Sequence, residues 1–294
     1  MNTGAFCLSR ILIIGATSIV GRQVLSQLPV TGVRVRALAR NPRTAGLPPR
    51  VDVVRGDLTL PKTLDACLDN IDAVFLVWTA PLAAAAPALE RIASHTRRIV
   101  FLSSPHKTAH AFFQGAQPNP ISVLHTEIER LIQSSGLQWT FLRPGMFAAN
   151  ALRWWAPRIR AGADVVRWPY ATAPTAPIHE RDIAAVAVRA LCEDGHAGAE
   201  YVLTGPRSLS QSEQISAIGD AIGRALRMEE IAPDEARREL LALVPAFIVN
   251  MLLDAWAAAI GQPALVTSTV AEIAGAPART FRDWAADHAA EFRP

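Results

Sequence analysis

Gly15, Ser18 and Gly21 are the residues whose types and spacing point first to chemistry. They stand in I-L-I-I-G-A-T-S-I-V-G, between the apolar run Arg10–Ile14 and a helical pattern over 20–27. A glycine at 15 permits a tight turn, and one at 21 permits close helix–strand packing. The amides of Thr17, Ser18, Ile19 and Val20, at the start of the helix, would then face a pyrophosphate. The plain alternative is a tight turn that holds no ligand. Ser18 stands where a third glycine is expected; its Cβ could crowd the pyrophosphate, or its hydroxyl could donate to it.

Three further strand ends carry candidate contacts. The second strand ends A-L-A-R-N-P-R, with Arg40 and Arg43 and no acid. An acid there accepts from ribose hydroxyls, whereas an arginine suits a 2′-phosphate through its bidentate fork. This favours NADP(H); the alternative is a solvated basic turn. After the third strand comes R-G-D-L. Asp57 could accept from an adenine amino group with Leu58 beside the ring, or Asp57 could simply cap a helix. Trp78 and Thr79 end the fourth strand, where the chain should pass the ribose and phosphates before Pro81. Trp78 could equally be core.

The elements that must position these residues alternate. Short apolar runs at Arg10–Ile14, 33–39, 51–55, 73–78, 98–103 and 139–142 read as strands, with helical patterns between them, including 126–134. Continuous apolar strands separated by helices predict an α/β fold, a parallel sheet covered on both faces. Beyond 150 the pattern changes. Residues 153–177 are rich in Trp, Pro and Arg without clear period. A helix follows over 182–192, a short strand over 201–203, and a mainly helical region from 210. A smaller, mostly helical C-terminal domain is expected, with a ligand cleft between the domains.

Composition sets the exclusions. The chain has 294 residues, of which 50% are hydrophobic and 19% charged, so it is neither disordered nor collagen-like. Cys7, Cys67 and Cys192 are odd in number and widely spaced, which argues against a disulfide framework or a zinc site and for a reducing compartment. No His/Asp/Glu spacing resembles a metal site. The formal charge of +3 is spread along the chain, with Lys62 and Lys107 the only lysines, so no nucleic-acid partner is expected. The first ten residues show no leader-like apolar region. The most apolar stretch, 240–253, is interrupted by Pro245 and Asn250 and is shorter than the roughly 20 residues of a membrane span. A soluble, cytoplasmic protein without a membrane partner is expected.

Together G-A-T-S-I-V-G, A-R-N-P, G-D-L, F-L-S-S and S-G-L-Q-W-T-F-L-R-P-G-M-F-A-A-N resemble the NmrA-like group of atypical short-chain dehydrogenases/reductases. The later Y-V-L-T-G-P-R-S-L-S and G-A-P-A-R-T-F-R-D-W-A-A-D-H extend the likeness over nearly the whole chain. The resemblance implies a Rossmann-type doubly wound sheet formed by 1–150 plus 180–206, and a substrate domain formed by 151–179 plus 207–294. The group contains NADPH-dependent quinone and ether reductases, biosynthetic tailoring enzymes and NADP-binding regulators without known turnover.

It also implies site residues. Ser103 and Ser104 fall where the family's catalytic or cofactor-facing serine lies. Pro144 and Phe147 follow the sixth strand, where the turn passes the nicotinamide. A typical short-chain dehydrogenase uses Tyr-x-x-x-Lys for proton transfer. The two tyrosines here, Tyr170 and Tyr201, have Pro174 and Gly205 four residues on. Counting back from S-G-L, the Lys position holds His125 and the Tyr position Ile121. His125, with Glu129 one turn later, could bind the ribose or protonate a substrate oxygen, with Ser104 as the second catalytic candidate. A structural histidine with Glu129 as surface partner is the alternative. His179 reads as a capping residue, and His106 and Lys107 as groups at a pocket edge.

Phe147, Trp154, Trp155, Trp168 and the apolar helix over 240–256 would rim an apolar pocket, or else form the second domain's core or a dimer contact. The resulting expectation is an NADPH-dependent reductase of an aromatic, quinone or enone-type molecule, with a possible homodimer. A non-catalytic NADP(H) sensor and a tailoring enzyme that couples reduction to ring opening or rearrangement stand beside it.

Overall fold

The structure is a computed structural model describing residues 10–114 and 118–294. Cys7 and the stretch read for a leader lie outside the described residues, apart from Arg10. The chain divides into two compact units. The first contains residues up to 104, then Leu124–Arg143 and Ile183–Tyr201; the second contains Pro105–Val123, Pro144–Asp182 and Val202–Pro294.

A seven-stranded sheet organises the first unit. Its strands are β1 (Arg10–Ile14), β2 (Arg34–Ala39), β3 (Asp52–Arg55), β4 (Ala73–Leu76), β5 (Arg98–Leu102), β6 (Gln138–Pro144) and a last strand, Ala199–Leu203. The order is β3-β2-β1-β4-β5-β6 and then Ala199–Leu203, so the winding reverses between β1 and β4. The pairs β1–β2, β1–β4, β2–β3, β4–β5 and β5–β6 are parallel, with Ile13 opposite both Ala37 and Phe75. Ile11, Leu12, Ile13 and Ile14 are fully buried, as a strand covered on both faces requires.

Helix α1 (Ile19–Gln27) turns Val20, Val24 and Leu25 inward. The helix Ala85–His95 buries Ala85, Ala88, Leu89 and Ile92, the i, i+3, i+4, i+7 spacing of one apolar face. Each fully buried Leu or Ile side chain contributes about 1.5–3 kcal/mol. The helix Pro120–Gln133 adds Ile128 and Ile132 to the same core, against Phe101 and Phe141.

The second unit has its own core. Residues 153–177 are not irregular: they fall into the helices Asn150–Trp154 and Ala156–Arg160 and the strand Val165–Trp168, which pairs in parallel with Arg227–Glu230. The expectation that Trp154, Trp155 and Trp168 rim a pocket is corrected here. With Trp256 they form a buried cluster, ring centroids 5.5–6.0 Å apart and mostly edge to face. Indole pairs in this geometry gain quadrupole attraction on top of burial, which draws the rings inward. Trp168 Nε1 donates to Gln211 Oε1 at 2.8 Å, satisfying its polar end.

Candidate cofactor cleft and proton-transfer pair

The glycine loop is built around two close approaches. Gly15 has φ +89°, and a Cβ there would lie 2.6 Å from Val77 Cβ. A Cβ on Gly21 would lie 2.2 Å from the Gly15 carbonyl oxygen. Gly15 lets the loop after β1 pass against Val77 beyond β4, and Gly21 lets α1 start this close to the end of β1. Ser18 caps α1: its Oγ accepts from the Gly21 amide at 3.0 Å, and its own amide donates to Gly15 O at 2.9 Å. The Gly21 amide is thereby satisfied within the loop, so Gly21 acts by its missing side chain. Ile19 and Val20 follow in the first turn, where helix geometry provides their amides with no intrahelical acceptor.

Above this loop lies a cleft of about 790 Å³. It opens at the carboxyl ends of β1 and β4, the switch point where open α/β sheets take ligands. Gly15, Thr17 and Ser18 line it from the first loop, Arg40 from the end of β2, Asp57 and Leu58 from the end of β3, and Thr79 from the end of β4. Asn41, Thr44, Thr59 and Ala80 also line it and were not singled out from the sequence, although they follow the same strand ends.

Not every expected contact joins them. Arg43 sits exposed in the turn Pro42–Thr44 and is absent from the lining. Trp78 is buried in the first unit's core, its Nε1 donating to Ala80 O at 2.6 Å, so it shapes the β4 loop from below. Asp57 forms a local turn: its Oδ1 accepts from the Thr59 amide at 2.9 Å and from the Thr59 hydroxyl at 2.8 Å. These bonds, with Arg40 nearby, hold its carboxyl below the usual aspartate range. The cleft thus offers a tight glycine loop, helix-start amides, an ionised carboxylate and an arginine. That donor set fits a dinucleotide carrying a 2′-phosphate.

A second cluster closes β5. Ser104 Oγ and His125 Nδ1 are 2.8 Å apart, and the imidazole meets the edge of Phe101 with centroids 5.7 Å apart. His125 is carried by the helix Pro120–Gln133, whose start is fixed by Asn119 Oδ1 accepting from the Ile121 and Ser122 amides, both at 3.0 Å. Ser103 is turned elsewhere: it is buried and donates to Glu129 Oε1 at 2.7 Å. Glu129 is not a surface partner of His125. It is fully buried and takes a two-pronged ion pair from Arg143. Nothing in its spacing from His125 distinguished a buried acid from an exposed one.

In the second unit, Pro144 is buried at the end of β6, and half-buried Phe147 forms an isolated bridge with Ile178. A small niche there is lined by Phe112, Phe113, Gly145, Met146 and Leu265, aromatic and apolar groups that sequence reading passed over. His106 is buried and Lys107 exposed. His179 is buried and structural, accepting the Arg181 amide at Nδ1 and meeting Asp287 at Nε2. Beside it Glu180 Oε1 meets His288 Nε2 at 2.7 Å, and Glu180 Oε2 accepts from Trp284 Nε1 at 3.1 Å. Burial alone would raise the Glu180 carboxyl, but the bonds with His179 and His288 hold it well below its ordinary value. Burial likewise opposes charge on His288, yet Glu180 holds its pKa above the usual histidine range. Among the described residues, no group of three or more His, Cys, Asp or Glu could hold a metal ion, and no helix is long and apolar enough to cross a membrane.

Known proteins align with this arrangement. A family profile described as NAD(P)H-binding matches residues 15–194. The (4-alkanoyl-5-oxo-2,5-dihydrofuran-3-yl)methyl phosphate reductase of Streptomyces griseus is 39% identical, over 97% of this chain and 99% of its own. The NAD(P)H azoreductase of Xenophilus azovorans is 33% identical, over 96% of this chain and 99% of its own. Among solved structures, an NADPH-dependent quinone oxidoreductase of Escherichia coli superposes with a TM-score of 0.77 at 22% identity, over 94% of this chain and 98% of that one. With its glycine seat, its sheet order and these alignments along nearly its whole length, the chain belongs to the NAD(P)H-binding, NmrA-like group of atypical short-chain dehydrogenases/reductases.

Proposed function

We propose that this NAD(P)H-dependent oxidoreductase uses NADPH to reduce an uncharged or aromatic conjugated acceptor, a quinone or an enone. The observation that carries the proposal is the Ser104–His125 pair at the end of β5, 2.8 Å apart, in a chain without Tyr-x-x-x-Lys. Arg40 at the end of β2, where no acid stands, supports NADPH as the preferred cofactor. Gly15, Thr17, Ser18, Ile19 and Val20 would hold the pyrophosphate, with Asp57 and Leu58 toward the adenine. When bound, the dihydronicotinamide supplies a hydride.

The protein's part is the proton. With a hydrogen on His125 Nδ1, the Ser104 hydroxyl can give its own proton to the substrate and take a replacement from the imidazole across the 2.8 Å contact. A quinone needs only this modest help, because its reduced oxygens are stabilised by aromatisation. A plain ketone develops alkoxide charge and requires a stronger, preorganised donor. The names of the relatives support a conjugated acceptor: an alkanoyl dihydrofuranone, which also carries a phosphate ester and so is charged, an azo compound and a quinone.

Stopped-flow oxidation of NADPH against a panel of quinones, enones and simple ketones tests the proposal. Quinones or enones should be reduced and simple ketones nearly untouched. His125→Ala should lower turnover about 10²- to 10⁴-fold if the pair delivers the proton. A rise in KM for NADPH alone would instead make His125 a ribose contact. A second reading, a non-catalytic NADP(H) sensor, is favoured by the missing Tyr-x-x-x-Lys; it prevails if NADPH binds tightly and no panel member oxidises it.

A further inference from the structure

Glu129 stands one helical turn after His125 and has no solvent exposure. A carboxylate in such a place needs compensating donors. Its donors include Ser103 Oγ at 2.7 Å and Arg143 Nε at 3.0 Å on Oε1, and Arg143 Nη2 at 2.7 Å on Oε2. The remaining arm of Arg143, itself buried, donates through Nη1 to Glu200 Oε2 at 2.6 Å. The network therefore joins the end of β5, the end of β6, the last strand and the helix that carries His125.

We propose that Glu129 and Arg143 are positioning residues for the Ser104–His125 pair. The inference rests on reading that pair as the proton-delivering group. An apolar pair of equal volume would hold the helix against the sheet at least as firmly, since buried ion pairs rarely add net stability. Such a pair leaves the helix free to slide or rotate slightly. A two-pronged guanidinium–carboxylate contact defines position and rotation together, and Ser103 ties the same carboxylate to the residue beside Ser104. The two adjacent serines thus divide the work: Ser103 anchors, Ser104 meets the imidazole.

The test combines kinetics with a readout independent of turnover. Glu129→Gln should lower kcat about 10- to 100-fold, the scale of a misplacement near 1 Å, with KM for NADPH within about threefold of the wild type. Ser103→Ala should move kcat in the same direction by a smaller factor. The double variant Glu129→Leu/Arg143→Met should melt no lower than Glu129→Gln yet stay slow; a double variant that regains full kcat would make the network merely structural and overturn the proposal. The His125 ring signal in a ¹H–¹³C NMR spectrum, assigned with His125→Gln, should shift or broaden in Glu129→Gln, and an unchanged signal would overturn the proposal as well. If no acceptor on the panel is reduced by the wild type, the proton-delivery reading fails, while the ring signal still decides whether Glu129 positions His125.

Discussion

Replacing Gly21 by alanine places a methyl group 2.2 Å from the Gly15 carbonyl oxygen and 3.0 Å from Ala16 Cα. Both neighbours are backbone, so no side-chain rotation relieves the overlap. Ordinary contact begins near 3.4 Å, so α1 must withdraw from the β1 loop by about 1.2 Å, the difference between 3.4 and 2.2 Å. Overpacking costs typically about 1–3 kcal/mol, and a backbone clash belongs at the upper end. At roughly 2–4 °C per kcal/mol for a domain of 150–250 residues, Tm should fall by about 4–12 °C. The same withdrawal moves the amides of Ile19 and Val20 away from the pyrophosphate seat. Losing one hydrogen bond to a charged group costs about 1.5–3 kcal/mol, at least tenfold in NADPH affinity. Fluorescence titration with NADPH, beside thermal melts, measures both effects. Gly32→Ala is the control: nothing lies within 4 Å of its Cβ position, and its φ of +81°, unlike Gly21 in its helix, costs some stability by itself, so it should lose stability and no affinity. A Gly21→Ala protein that binds NADPH within threefold of the wild type would refute the reasoning.

Arg40→Ala should narrow the preference for NADPH over NADH by about tenfold, since an exposed arginine–phosphate contact lies at the weak end of charge-assisted bonds; equal wild-type affinities for the two cofactors would show that Arg40 reads no phosphate. Saturating NADPH should raise Tm, because the ligand binds only the folded chain, and the absence of any shift with NADPH or NADH would remove the cofactor assignment. Glu180→Gln should destabilise by about 1.5–3 kcal/mol, chiefly through its weakened bond with His288. The depressed Glu180 contributes stability above its ordinary value of 4.5, lost as pH falls; the raised His288 contributes below its ordinary value of 6.5, lost as pH rises through its folded value. The gap in Tm between wild type and Glu180→Gln should therefore be widest at about pH 4.5–6.5, and a gap that does not vary with pH would show that the pair is not charged.

The sheet and its cleft were legible because their signals are local. A strand with both faces covered reads as an unbroken apolar run, and Gly15 and Gly21 announce a close approach that no other residue permits. The cleft's floor could be anticipated from strand ends alone, which is why Arg40, Asp57 and Thr79 were found together with Gly15. What was not legible depends on partners distant in the chain. Glu129 has a spacing from His125 that fits a buried or an exposed acid alike, and its burial is met by Ser103 and by Arg143, 14 positions later. Glu180 and His288 are separated by 108 positions. The indoles of the second unit were ambiguous for another reason: a large ring serves a pocket wall and a core equally well, and the choice is made by whichever neighbours close around it. Arg43 lies exposed in the turn Pro42–Thr44, outside the cleft lining, a placement that its charge alone does not indicate.

The indole cluster of the second unit also has an optical consequence. Of seven tryptophans, only Trp78 and Trp139 belong to the first unit. Trp154, Trp155, Trp168 and Trp256 lie within 6.0 Å of one another as a connected set, close enough for their electronic transitions to couple and for excitation to pass among them before emission. They should behave as a single dry chromophore, with a split circular-dichroism band and depolarised, blue emission that vanishes when the rings separate. The second unit thus carries its own reporter, and its unfolding can be followed by light without any added label.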